Sequence, residues 1–144
     1  AIGGVMAGVI PDSAFGERVR ERLAEERVIW LTTIGPDGTP QPNPVWFLWE
    51  GGDSLLIYNR ANARRLAHLR RGPQVSLHFN TDEAGGDVVV FKGEAEILEG
   101  HLLAGGVPGY VGKYRDGIAR WGLENFEQDY PIAMRVRLTA VRGF

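Results

Sequence analysis

Val28-Ile29-Trp30-Leu31-Thr32-Thr33-Ile34, closed by Gly35-Pro36-Asp37-Gly38, marks a change of period in the chain. Upstream, Phe15, Val19 and Leu23 recur every four residues behind a capping Asp12 or Ser13, which predicts an amphipathic helix. Glu17, Arg18, Glu21, Arg22 and Glu25 fill its other faces, so this helix lies on a surface. From Arg27 onward β-branched residues dominate and the four-residue spacing stops. The pattern predicts a strand over Val28–Ile34 followed by a tight turn.

Downstream, a second strand is expected over 40–50 and a third over 55–59, joined through Gly51-Gly52-Asp53. So short a loop predicts antiparallel pairing. A short helix over 62–70 follows, with Leu66 and Leu69 inward and Arg71-Gly72-Pro73 ending it. Residues 74–80 alternate Val75, Leu77 and Phe79 against Gln74, Ser76 and His78, the mark of a half-buried strand. Another strand is expected over 87–98 and a last one over 132–141. Between them, 107–128 reads as helix in two pieces, with Pro108 near a start and Gly122 at a break. About six strands with short turns and flanking helices predict a mostly β fold, a small antiparallel barrel.

The 144 residues suit one domain, expected over 13–144 behind a flexible lead-in at 1–12. The lead-in is apolar but interrupted by Gly3, Gly4 and Gly8 and is too short to span a bilayer, so no membrane partner is expected. Net charge is −2 with a pI near 5.9, which argues against nucleic-acid binding. There is no cysteine. That excludes disulfides and thiolate chemistry and fits a reducing cytoplasm.

No self-contained catalytic motif is present. The segment around Gly112-Lys113 resembles a phosphate loop, but Val107 replaces its first glycine and Tyr114 its magnesium-binding hydroxyl residue. His68, His78 and His101 lack metal-ligand spacing. Neither a dinucleotide fingerprint nor a serine nucleophile elbow occurs. No catalytic or metal-binding side chain is therefore assigned.

Two stretches carry chemistry. In Ile57-Tyr58-Asn59-Arg60-Ala61-Asn62-Ala63-Arg64-Arg65-Leu66 a strand ends and a helix begins within a few residues. The N–H groups at such a start attract an anion, and Arg60, Arg64 and Arg65 can surround the same point with charge-assisted bonds. Cations at a helix start are unfavourable unless something negative is bound there. Arg70 and Arg71, at the other end, need no ligand to explain them. In Gln41-Pro42-Asn43-Pro44-Val45-Trp46-Phe47-Leu48-Trp49 two prolines remove alternate donors, so the start of this strand is not expected to pair fully. Free backbone beside aromatic side chains suits a flat heterocycle. An edge strand whose Trp46 and Trp49 pack in the core or at a dimer interface explains the same pattern.

Together these stretches resemble the pyridoxamine 5′-phosphate oxidase-like, split β-barrel flavoproteins. The likeness rests on Gly38-x-Pro40-Gln41-x-x-Pro44-Val45-Trp46-Phe47, then Tyr58-Asn59-Arg60, then Arg64-x-x-x-His68-Leu69-Arg70-Arg71-x-Pro73-x-Val75-Ser76. Gly86-Asp87 and Arg135-x-Arg137-x-Thr139-x-Val141-Arg142-Gly143 complete it. Within the family the sequence looks most like the branch that uses the deazaflavin coenzyme F420, found chiefly in actinobacteria.

The resemblance implies an FMN-binding-like split barrel, homodimeric, with the cofactor in a groove between subunits. Pro44, Val45, Trp46 and Phe47 would run beside the ring, and Gln41 would touch the cofactor tail. Asn59 and Arg60 would lie near the side chain or phosphate. Arg64 and Arg65 match the family's basic phosphate-binding pair, and Asp87 would approach from the other subunit. The implied activity is hydride transfer from reduced F420 to a conjugated small-molecule acceptor, with FMN as the alternative cofactor. A non-catalytic carrier of a cofactor, haem or tetrapyrrole on the same fold is a further alternative. The cofactor would supply the difficult chemistry, which accounts for the missing triad. Solvent is the expected proton source, ahead of Tyr110 and Tyr114, and the helices over 107–122 would wall the substrate face. The residues by which true oxidases recognise pyridoxal phosphate have no match near the C-terminus.

Overall fold

In the computed structural model, which describes residues 8–144, the first helix (α1) forms over Ala14–Glu25. Ser13 caps it, its Oγ accepting from the Gly16 N–H at 3.1 Å. Val19 and Leu23 are fully buried against the sheet. Residues 1–7 of the expected lead-in lie outside the described residues. Beyond them Val9 donates its N–H to Asp53, and Ile10 packs into the core.

Seven strands follow: β1 (Val28–Ile34), β2 (Pro40–Trp46), β3 (Leu48–Trp49), β4 (Ser54–Asn59), β5 (Gln74–His78), β6 (Val89–Ile97) and β7 (Ile132–Gly143). They form one antiparallel sheet in the order β2-β1-β5-β6-β7-β4-β3. Its two outermost strands are consecutive in sequence, separated only by Phe47. The sheet therefore curls until its ends meet, a half-barrel with its seam at that residue. The fold is mostly β with flanking helices, as the alternation predicted.

The single strand expected over 40–50 is thus two. At Phe47 the ladder stops, and its backbone turns instead to the side chains of two neighbouring residues, Lys113 and Tyr114, far along the chain. The Phe47 N–H donates to the Tyr114 hydroxyl at 2.8 Å, and its carbonyl accepts from Lys113 Nζ at 2.8 Å. The prolines also act differently from expectation. β2 pairs with β1 along its whole length, Pro42 opposite Thr32 and Pro44 opposite Trp30. Alternate residues of an antiparallel edge strand point their N–H outward, so both proline nitrogens sit on the open edge. That edge offers carbonyl acceptors but no donors at 42 and 44.

The second helix (α2) spans Arg64–Arg71, and three short helices cover 108–129: α3 (Pro108–Lys113), α4 (Arg115–Trp121) and α5 (Leu123–Asp129). The expected break at Gly122 is present, with φ 88°. A further break at Tyr114 makes three pieces where two were expected. β4 explains how these helices attach. Its Leu55 and Ile57 face the barrel interior with Phe47, Leu77, Phe91, Met134 and Val136. Its Leu56 and Tyr58 face outward, beneath Tyr110, Tyr114, Ile118 and Phe126. A strand buried on both faces reads as a continuous apolar run. Among the described residues no helix is long and apolar enough to cross a membrane.

Candidate functional site

A cleft of about 890 Å³ opens between β2, the start of α2 and the α3–α5 helices. Its wall carries two chemistries, which meet where the Arg60 guanidinium lies over the Tyr130 ring. One is basic, with Arg60, Arg64, Arg65 and Arg71 on its wall; the other is aromatic, with Trp46, Tyr110, Trp121, Phe126 and Tyr130.

The basic part follows from the strand-to-helix junction. α2 starts without a side-chain cap and without an acidic residue in its first turn. None of Arg60, Arg64, Arg65 and Arg71 forms an ion pair among the described residues. The Arg60 guanidinium lies over the Tyr130 ring, 4.7 Å from its centroid. Arg71 donates to the Ile34 carbonyl at 3.2 Å. Arg65 is half-buried, and burial pushes its guanidinium below its ordinary value. It stays cationic at neutral pH all the same.

The aromatic part is built in layers. The Trp46 indole stacks flat on Tyr114, ring centres 4.4 Å apart and planes 2° from parallel, with Phe126 at 5.8 Å. Gly117 makes room for it: a Cβ there would lie 2.6 Å from the indole edge. Trp121 meets Phe126 and Tyr130 edge-on and donates its Nε1–H to Asp129. Tyr58 caps the group by donating to the Leu102 carbonyl at 2.7 Å, and burial pushes its hydroxyl up to about 12.

Of the residues expected at the site, Gln41, Pro44, Val45, Trp46, Arg60, Arg64 and Arg65 line this cleft. Phe47, Asn59 and Asp87 are not on its wall. Phe47 points into the barrel. Asn59 is fully buried behind Arg65. Asp87 lies against α1, where Arg18 donates to it at 2.7 Å and Arg22 stands 3.6 Å away. The Arg18 guanidinium holds its carboxyl below the usual range. Sequence reasoning missed His68 and Arg71 on the wall. Arg64, His68 and Arg71 are spaced i, i+4, i+7, one face of α2, and that spacing was the signal available. His68 Nδ1 is 2.8 Å from the Thr33 hydroxyl.

Tyr114 and Tyr110 are poorly placed to give up protons. The Tyr114 hydroxyl accepts from the Phe47 N–H and lies 2.6 Å from the Arg27 carbonyl. Burial raises both phenols, with Tyr110 further raised by Tyr114 beside it. Among the described residues no cluster of His, Asp or Glu could hold a metal ion.

The curled sheet, with its flanking helices and lateral cleft, is a split β-barrel of the flavin-binding type. The family model for pyridoxamine 5′-phosphate oxidase matches residues 15–134, and the chain belongs to that family. It is similar in structure to an F420 reductase (TM-score 0.66, 22% identity), covering 85% of this chain and 94% of the reductase. A conserved hypothetical protein from Mycobacterium tuberculosis, Rv2991, aligns over 94% of this chain and 86% of its own (TM-score 0.67, 23% identity). HutZ, the haem storage protein of Vibrio cholerae, aligns over 88% and 92% (TM-score 0.66, 21% identity). Comparison with curated protein sequences finds no significant match.

Proposed function

We propose that the chain is one subunit of an F420-dependent oxidoreductase that transfers a hydride between the deazaflavin and a conjugated small-molecule acceptor. The observation that carries this reading is the joining, in one cleft, of an aromatic wall to four arginines that have no carboxylate partner among the described residues. A cofactor that joins a phosphate to a flat ring calls for both chemistries. The residues present fit such a group: α2 begins uncapped, with cations where its dipole disfavours them.

In this reading Arg64 and Arg65 bind the phosphate, with Arg60 and Gln41 along the tail. Pro44, Val45 and Trp46 flank the ring, and the open edge of β2 gives it carbonyl acceptors. The bound deazaflavin supplies the hydride chemistry. The α3–α5 helices exclude water from the ring's outer face, and solvent at the cleft mouth provides the proton. Asp87, absent from the wall of its own cleft, serves the cleft of a second subunit. The F420 reductase among the structural neighbours supports the cofactor choice.

A haem-carrying reading has one observation in its favour. His68 is on the cleft wall with only its Nδ1 engaged among the described residues, and its Nε2 would be the group to hold a haem iron. Fluorescence titration with F420 and with FMN, beside an absorbance titration with haemin, separates these readings. Tight binding of F420 with weak binding of FMN is expected. The reverse preference assigns FMN, a Soret shift that His68→Ala abolishes assigns haem, and binding of none of them removes the cofactor assignment.

A further inference from the structure

Asn59 is fully buried, yet its amide is fully committed. Its Nδ2 donates to the Ile132 carbonyl at 3.1 Å and reaches the Ile57 carbonyl at 3.5 Å. Turning the amide over would set Oδ1 against those two carbonyl oxygens, so its orientation is fixed. Oδ1 therefore faces α2, where it accepts from Arg65 Nε at 2.6 Å. That bond uses the inner edge of the guanidinium. Neither Nη nitrogen has a partner among the described residues, and no buried side-chain nitrogen or oxygen lacks one. The outer edge of Arg65 is thus open on the cleft wall.

We propose that Asn59 is a positioning residue that aims the Arg65 fork into the cleft while leaving its charge uncompensated, making that part of the cleft selective for an anionic oxygen group. This rests on the reading of the cleft as the site of a phosphate-bearing cofactor. The neutrality of the amide is the essential point. A carboxylate in its place would make the same Nε–H bond but close an internal ion pair, and the site would lose its demand for an anion. A rigid acceptor behind the fork also removes rotamer freedom that binding would otherwise have to freeze.

The test compares wild type with Asn59→Asp, which keeps size and hydrogen-bond reach toward Arg65 but sets its second oxygen against the Ile57 and Ile132 carbonyls, so its folding is checked first by circular dichroism. Each is titrated by fluorescence with F420 and with the same deazaflavin lacking its phosphate-bearing tail. Wild type is expected to prefer the tailed form. Asn59→Asp is expected to lose about tenfold or more of that preference, the scale of a hydrogen bond to a charged group, while affinity for the tail-less chromophore holds. An unchanged preference in folded Asn59→Asp overturns the proposal. Absence of any preference in wild type overturns instead the reading of the cleft. Should Asn59→Asp not fold, Arg65→Lys replaces it: lysine keeps the charge but has no fork for Asn59 to hold. The same loss is expected, and full retention of the preference overturns the role of Asn59.

Discussion

The Tyr114 hydroxyl accepts the N–H of Phe47 at 2.8 Å, joining a residue of the helical segment to the point where β2 becomes β3. It lies 2.6 Å from the Arg27 carbonyl and 2.9 Å from that of Phe47. Having one proton, it donates chiefly to the nearer, that of Arg27. One phenol thus satisfies the seam of the barrel and supports the indole of Trp46 on its face. The cleft wall and the barrel closure are a single construction.

Tyr114→Phe keeps the ring stack and deletes only the hydroxyl. It leaves the buried Phe47 N–H without its acceptor, and destabilisation of about 1–3 kcal/mol is expected. Urea denaturation followed by far-UV circular dichroism measures it. Hydride transfer in the folded variant should stay within about tenfold of wild type, because the hydroxyl is committed to backbone. A far greater loss with intact binding would make Tyr114 the proton donor.

Lys113 adds a pH dependence to the same seam. Its ammonium is bonded to the Phe47 carbonyl and lies 3.6 Å from the centre of the Phe47 ring. Burial, with Arg27 nearby, still pushes it down to about 8. Between about pH 8 and its ordinary value of 10.5 the unfolded chain binds a proton that the folded chain does not. Stability linked to this residue therefore rises with pH across that window. Lys113→Met should remove the rise. Urea midpoints of the two proteins at pH 7.5 and 9.5 give the comparison, and equal slopes would show that the ring contact offsets the burial.

Arg64→Glu combined with Arg65→Glu should weaken F420 binding by about a hundredfold or more, since two charge-assisted contacts become repulsions. No carboxylate pair is lost among the described residues, but the buried Asn59 Oδ1 loses its donor, so a folded variant destabilised by about 1–3 kcal/mol is expected. Fluorescence titration of the double variant decides it. Unchanged affinity in a folded protein removes the phosphate site.

The parts legible in the sequence are those set by local pattern. Alternation in β1 and β5, the glycine turns and the change of period after Arg27 place the strands within a few residues. The arginines at the α2 start stood out because their position opposes the helix dipole. What escaped is set by distant partners. Trp46-Phe47-Leu48-Trp49 reads as unbroken strand, since the break at Phe47 depends on Tyr114 and Lys113, far along the chain. The helix break at Tyr114 carries no glycine or proline to announce it. Asn59 enters the expected site only through the family resemblance; nothing local in the sequence shows that the carbonyls of Ile57 and Ile132 and the Arg65 guanidinium take up its amide.

The position of Asp87 leads to the last prediction. It is held on α1 by Arg18 and Arg22, at a backbone φ of 55° that few non-glycine residues adopt. An acid so fixed, yet absent from the cleft wall of its own chain, suits a role at the cleft of a second subunit. Sedimentation velocity should therefore give a dimer, with or without F420. In that dimer Asp87→Ala should weaken F420 binding without dissociating the subunits. A monomer that binds F420 as tightly as any dimer would contradict the shared groove. A dimer in which Asp87→Ala binds normally would keep the assembly and confine Asp87 to its ion pair with α1.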